Sequence, residues 1–336
     1  MSNFIRLAAV VSLGLGGEVL AGDVLDGDAE VERACSKVAA VDFPSTDRPS
    51  VEEERALKGC ESETLYYGIG MPADLLRARA CAFLELDAGR NLGLSGAGIL
   101  MMVYANGKGV PRNLDVAMAT VCRRMDQGRY EKEARVRHLQ SMRDHPSEID
   151  VCDDITSGLM HGACTAHADR VHAIERGRRL SVAVANVPAA ARKDFTALEA
   201  AARRFFDARV KNEVDLSGTS RAAFSIAERS ALDDGFVDLL EKAGEGKAPA
   251  ASARELAESQ AKLDAVYAKL MKGPGPDDFW GTVTRDGIRA TQLEWLRYRD
   301  AWVIFGRRLL PRSSKEGWSN LLTKQRVEML AEFEPR

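Results

Sequence analysis

The sequence predicts an all-α fold, on three observations. Residues 288–310 carry Trp295, Leu296, Trp302, Val303, Leu309 and Leu310 in pairs seven positions apart, with Phe305 between them, which draws one broad apolar stripe on a helix. A weaker copy of this stretch lies 93 positions upstream, where Phe205, Asp207 and Ala208 take the places of Tyr298, Asp300 and Ala301. Closer to the N-terminus, a glycine and proline turn recurs after 39 residues, a period of the size that helical-hairpin solenoids use. The predicted architecture is a short solenoid followed by two three-helix bundle units.

The chain opens with a stretch that reads as a signal peptide over residues 1–21. Arg6 and the amino terminus supply positive charge, residues 7–15 a short apolar core, and Val19-Leu20-Ala21 the compact residues before a cleavage site. The six cysteines, all in the front half, fit the oxidising compartment that export implies. Cys152 and Cys164 are close in sequence across a turn-prone Thr156-Ser157-Gly158, so they form the first expected disulfide. Cys60 with Cys81 is the second, and Cys35 and Cys122 stay unassigned. Composition is that of an ordinary globular chain, 45% hydrophobic and 29% charged, which argues against disorder and a membrane bundle. The net charge of −3 offers no bulk attraction to nucleic acid, and no membrane span is expected.

Residues 22–57 form an N-terminal extension, with a short helix over residues 30–40 carrying Cys35 and a loop over residues 43–49. In the repeat region, residues 58–145, Gly68, Gly70, Pro72, Asp74, Ala78 and Ala80 recur as Gly107, Gly109, Pro111, Asn113, Ala117 and Ala119. The glycines permit left-handed backbone at the hairpin turn, Asn113 or Asp115 can cap the second helix, and the alanines let the two helices approach closely. A further helix over residues 131–142 closes the domain at Asp144-His145-Pro146-Ser147.

The next unit, residues 146–245, starts with a helix-turn-helix element bearing Cys152 and Cys164. A long helix from Pro188 and another over residues 221–243 complete it. Residues 244–252 read as a linker. The last unit, residues 246–336, has a helix over 253–272, the apolar-striped helix capped by Asp277 or Asp278, and a final helix capped by Ser313 after Pro311. On the striped helix, Arg297 and Asp300 can pair along the exposed face.

Two resemblances follow from these motifs. The stretch YANGKGVPRNLDVA, residues 104–117, resembles the Sel-one-like repeat family, relatives of tetratricopeptide repeats, and residues 67–80 resemble a degenerate copy. Residues 257–333 resemble the lysozyme inhibitor LprI family through AESQAKLDAVYAKL, Trp295 with Tyr298-Arg299-Asp300, and LLTKQRVEML. The family commonly carries cysteines where Ala257 and Phe305 stand here. Residues 152–240 resemble a degenerate copy that keeps Cys152 and Cys164 but has Ala202, Phe205 and Phe206 in place of the Trp, Tyr and Arg. The resemblance implies an exported, disulfide-bearing helical domain and inhibition of lysozyme, with Trp295, Tyr298, Arg299 and Asp300 as the binding candidates.

The same four residues have a structural reading, in which Trp295, Tyr298 and Asp300 hold the helices together. His161, Cys164 and His167, with Cys152, Asp153 and Asp154 nearby, imitate a zinc site, but a disulfide is the expected state and no metal is assigned. The sequence has no nucleophile elbow, zinc-protease helix or phosphate loop. Gly93 to Gly98 lacks the preceding strand of a dinucleotide fold, and His138 and His145 have no recognisable partner. Expected, then, is a periplasmic or secreted non-enzymatic protein with no cofactor and no catalytic residues, which binds a lysozyme, another envelope hydrolase or a toxin. The alternatives are an immunity protein against a periplasmic toxic effector and an envelope adaptor.

Overall fold

The computed structural model describes residues 21–272 and 280–334, so the expected signal segment, Ala21 apart, and the expected caps Asp277 and Asp278 lie outside the described residues. Among the described residues the fold is all-helical, with thirteen α-helices and no strand. Among these residues, β geometry is confined to an isolated bridge between Leu92 and Asp126.

Helix α1 (Ala21–Lys37) carries Cys35 and starts earlier than the sequence suggested. The loop after it contains a single 3-10 turn, Ser45–Asp47, and leads to α2 (Val51–Ala56), where Ser50 and Glu53 cap each other's backbone.

Two hairpins follow, α3 (Ser62–Tyr67) with α4 (Leu75–Asp87) and α5 (Gly96–Asn106) with α6 (Leu114–Arg123). They repeat down to single hydrogen bonds. The amide of Ile69 donates to Thr64 O at 3.0 Å and that of Asp74 to Leu65 O at 2.9 Å; 39 residues on, Lys108 donates to Val103 O at 3.0 Å and Asn113 to Tyr104 O at 2.8 Å. Gly68 and Gly107 end the first helix of each hairpin at φ 70° and 67°. A Cβ on Gly68 would lie 2.8 Å from the Ala73 amide, so the turn needs glycine for space as well as for backbone sign. Asp74 and Asn113 cap the second helices, while Asp115 instead bonds Arg143. Ala78 and Ala117 are fully buried where the helices touch.

Helix α7 (Arg129–Asp144) packs on α6 and α1, but the first core does not end there. It continues through Ile149, Val151 and Met160 to Cys164. Residues 146–157 are held in non-helical form by side chains. Asn106 exchanges hydrogen bonds with both backbone groups of Ile149 (2.8 and 2.9 Å), Arg135 donates to Val151 O (2.9 Å), and Glu131 accepts from the amides of Thr156 and Ser157 and from the Ser157 hydroxyl. With its backbone satisfied in this way, the segment around Cys152 forms a turn where the sequence suggested a helix. Cys164 then lies near the start of α8 (Gly158–Ala185), one unbroken helix of 28 residues capped by Ser157.

Burial by itself would raise the Glu131 pKa, but the Ser157 hydroxyl, the Ser157 and Thr156 amides and Arg135 outweigh it and hold the carboxyl below its ordinary value. A depressed carboxylate contributes stability above its unfolded pKa, and that contribution is lost as pH falls through the folded one. Glu131→Gln is therefore expected to flatten the loss of stability below about pH 4.5, read from urea unfolding across pH. An unchanged acid slope would count against this role.

The second core gathers α9 (Arg192–Asn212), α10 (Arg221–Gly244), α11 (Ala253–Lys272), α12 (Arg285–Leu309) and α13 (Lys315–Ala331) around one buried cluster from Val187 to Phe333. The helices of residues 146–245 and 246–336 interleave: α9 packs chiefly on α12, α8 on α10 and α11 on α13. Phe205 stacks on Tyr298 at 5.2 Å and Phe206 meets the same ring at 5.6 Å, so the paired aromatic residues of α9 join the two units. Trp302 and Trp318 stack at 5.7 Å in the middle.

Thr284 caps α12 and Ser314 caps α13, in place of Asp277 or Asp278 and Ser313. The Ser313 hydroxyl is engaged elsewhere, donating to Leu310 O at 2.7 Å and accepting from Trp318 Nε1 at 2.9 Å. On the surface of α12, Arg297 pairs with Glu294 and Asp300 with Arg299, which replaces the expected pairing of Arg297 with Asp300.

Three disulfides staple the front half. Cys152 bonds Cys164, Cys60 bonds Cys81, and Cys35 bonds Cys122 across 87 residues, fastening α1 to α6.

Candidate functional site

The first hairpin turn, the irregular segment around Asp150 and the flank of α8 meet around Tyr67. On one side of this ring lies an open cavity of about 480 Å³ between Tyr66, Leu75, Asn106, Lys108, Glu148, Ile149, Asp150 and Asp153. On the other side a shallower hollow of about 310 Å³ runs between residues 68–71 and the α8 side chains Val171, Ile174 and Glu175. Together they form a two-part groove with Tyr67 as the divide.

Local chemistry fixes each wall. Tyr66 and Tyr67 are the last buried turn of α3 before the left-handed Gly68, which sends the chain away and leaves both rings facing the groove. The Tyr67 hydroxyl donates to Asp150 Oδ2 at 2.5 Å, and its ring lies 4.2 Å from that of His167. Burial, reinforced by the Asp150 carboxylate, pushes the Tyr67 phenol far above its ordinary pKa, and burial raises Tyr66 also. Both rings are therefore neutral.

Asp150 also accepts from the Cys152 amide at 2.9 Å, and Asp153 accepts from the Asp150 amide at 2.7 Å, so the acidic wall is anchored beside the Cys152 to Cys164 bond. The Lys108 ammonium bonds Glu148 at 2.7 Å and sits 5.9 Å above the Tyr66 ring. The Glu148 bond raises its pKa and keeps it charged. Behind the wall, Glu63 takes up His167 (2.7 Å) and Arg170. Three carboxylates thus face one ammonium in the cavity. Across Tyr67, Met71, Val171 and Ile174 are 45%, 42% and 45% exposed, an apolar shelf.

The residues expected from the sequence lie elsewhere. Trp295 and Tyr298 are buried in the second core, at 1% and 7% exposure. Arg299 lies 5.2 Å over the Trp295 ring and pairs with Asp300 at 2.8 Å, so of the four only these two side chains present charge to solvent. His161 meets the Phe224 ring edge-on, Cys164 is in a disulfide, and His167 is paired with Glu63, so the zinc-like spacing is not a cluster in space. His138 bonds Asp154 at 2.9 Å, a partner that the sequence did not reveal.

Sequence reasoning missed the groove. Its signals were the paired Tyr66-Tyr67 before the glycine turn and the acidic run EIDVCDD, residues 148–154, neither of which carries a motif. Comparison with family models, with curated proteins and with solved structures found no match for this chain.

Proposed function

We propose that this is an exported, disulfide-stabilised binding protein that holds a protein partner in the groove about Tyr67, and that the partner is a lysozyme or related wall-lytic enzyme. The groove carries the reading: a two-part hollow that combines neutral phenols, surface carboxylates and three well-exposed apolar side chains. Concave surfaces of stacked helical hairpins commonly hold proteins, and exposed apolar area rimmed by polar residues commonly marks an interface. Export is supported by the three disulfides. No helix of the described residues is long and apolar enough to cross a membrane. The partner class rests on the resemblance of residues 257–333 to the lysozyme inhibitor LprI family.

Inhibition in this reading is stoichiometric: a helical surface seated over the cleft of the enzyme excludes its substrate. Titrating the purified protein into a cell-wall lysis assay is expected to abolish lysozyme activity near equimolar ratio. Full activity at large excess would remove the inhibitor reading. Affinity capture from periplasmic extract would then identify the partner.

A further inference from the structure

The groove is chemically divided, and the division specifies what can occupy it. We infer that the partner segment is cationic and amphipathic, placing a lysine or arginine against the carboxylate wall and a bulky apolar side chain on the α8 shelf, with Tyr67 between them. This rests on the reading above that a protein occupies the groove.

The cavity on the Asp150 side holds Glu148, Asp150 and Asp153 against Lys108 alone, a surplus of two negative charges. Glu148 and Asp153 lie on the exposed surface, within reach of a partner. Arg170 and the His167 imidazole behind the wall do not offset that surplus, because both are engaged by Glu63. Lys108 already displays the favoured contact: its ammonium rests on a carboxylate and over the Tyr66 ring. An incoming basic side chain would find the same combination at Asp153 and Tyr67.

The opposite compartment has the reverse character. Val171 and Ile174 stand three apart on α8 and so face the same way, and Met71 closes the hollow from the turn. Their exposed area rewards an aliphatic or aromatic side chain and offers little to a second charge. An acidic segment would meet like charge on one side and gain only half of the groove on the other.

The test uses the full-length exported protein and three short peptides: one alternating lysine with leucine, one alternating glutamate with leucine, and one alternating lysine with serine. Calorimetry is expected to show the lysine and leucine peptide binding one to one, the glutamate peptide not binding, and the serine peptide weaker by about tenfold. Glu148→Gln with Asp153→Asn keeps the acceptor oxygens for Lys108 and Asp150 and should weaken binding by about tenfold, with a reduced salt dependence. Glu258→Gln with Asp264→Asn, on exposed α11, removes the same charge elsewhere and should change affinity by less than about twofold.

Equal binding of the glutamate peptide, failure of every peptide to bind, or a groove variant indistinguishable from the α11 control would each overturn the inference. Methyl resonances separate it from the reading on which it rests. Perturbation at Met71, Val171 and Ile174 without charge preference overturns the partner chemistry alone. Perturbation confined to other methyls overturns the placement of the partner as well.

Discussion

Replacing Arg326 with methionine is expected to lower the unfolding free energy by about 3 kcal/mol, the cost of taking from a buried carboxylate its bidentate arginine and leaving it Arg209 alone. Arg326 and Glu213 are both completely buried and meet in a bidentate pair, at 2.7 and 2.6 Å. The Arg326 Nε donates to Gln292 at 2.9 Å, and Arg209 donates to Glu213 at 3.0 Å, to Glu228 at 2.6 Å and to Glu332 at 2.8 Å. Burial works against charge on Arg209, yet the surrounding carboxylates, Glu228 and Glu213 foremost, leave its pKa above the ordinary value.

The network joins the end of α9 to α10, α12 and the C-terminal end of α13, and so fixes how the interleaved helices register. Removing both charges, as in Glu213→Gln with Arg326→Met, should recover part of the loss, because the penalty lies in the under-compensated buried carboxylate more than in the bond itself. Urea unfolding at neutral pH measures both variants. A loss below about 1 kcal/mol for the single variant would mean that water reaches the site.

Cys35→Ser with Cys122→Ser is expected to cost more than removal of either other disulfide. In the chain-entropy account the stabilisation grows with the loop that is closed, and sequence separations of 87, 21 and 12 residues give about 4.6, 3.3 and 2.8 kcal/mol. Packing acts in the same direction. Apart from this bond, α1 is held by contacts with α6 and α7 and by Arg123, whose guanidinium donates to the carbonyls of Val38, Ala39 and Val41 just beyond its C-terminal end. Unfolding of the three paired serine variants ranks them. If the Cys152 to Cys164 pair proves the most costly, native contacts around the acidic wall outweigh loop closure.

What the sequence disclosed was whatever depends on neighbouring residues. The turns at Gly68 and Gly107 were legible because a left-handed residue followed by a capping Asp or Asn is a local requirement, and helix 253–272 was bounded correctly by its apolar spacing. Cys152 with Cys164 was legible for the same reason, whereas Cys35 with Cys122 depends on how α1 folds back. Caps were displaced where several candidates lay close together, as with Ser313 and Ser314, since the unused serine found a tryptophan indole instead. The buried Arg326 and Glu213 are 113 residues apart, and in sequence each looks like a surface charge. The groove was illegible because a turn, a loop and the flank of a helix supply it from three separate parts of the chain, and no spacing rule connects Tyr67, Asp150 and Ile174.

Helix α8 belongs to both cores. Met160 and Cys164 at its start sit in the first, Leu180, Ala183 and Val184 near its end pack on the second, and between them Arg176 and Arg179 are tied to Asp234, Asp238 and Glu241 of α10. At about 1.5 Å per residue it is a strut of about 42 Å, welded at one end by a disulfide and braced along its middle by ionic struts. Independent swivelling of the two bodies about α8 would therefore have to bend the rod.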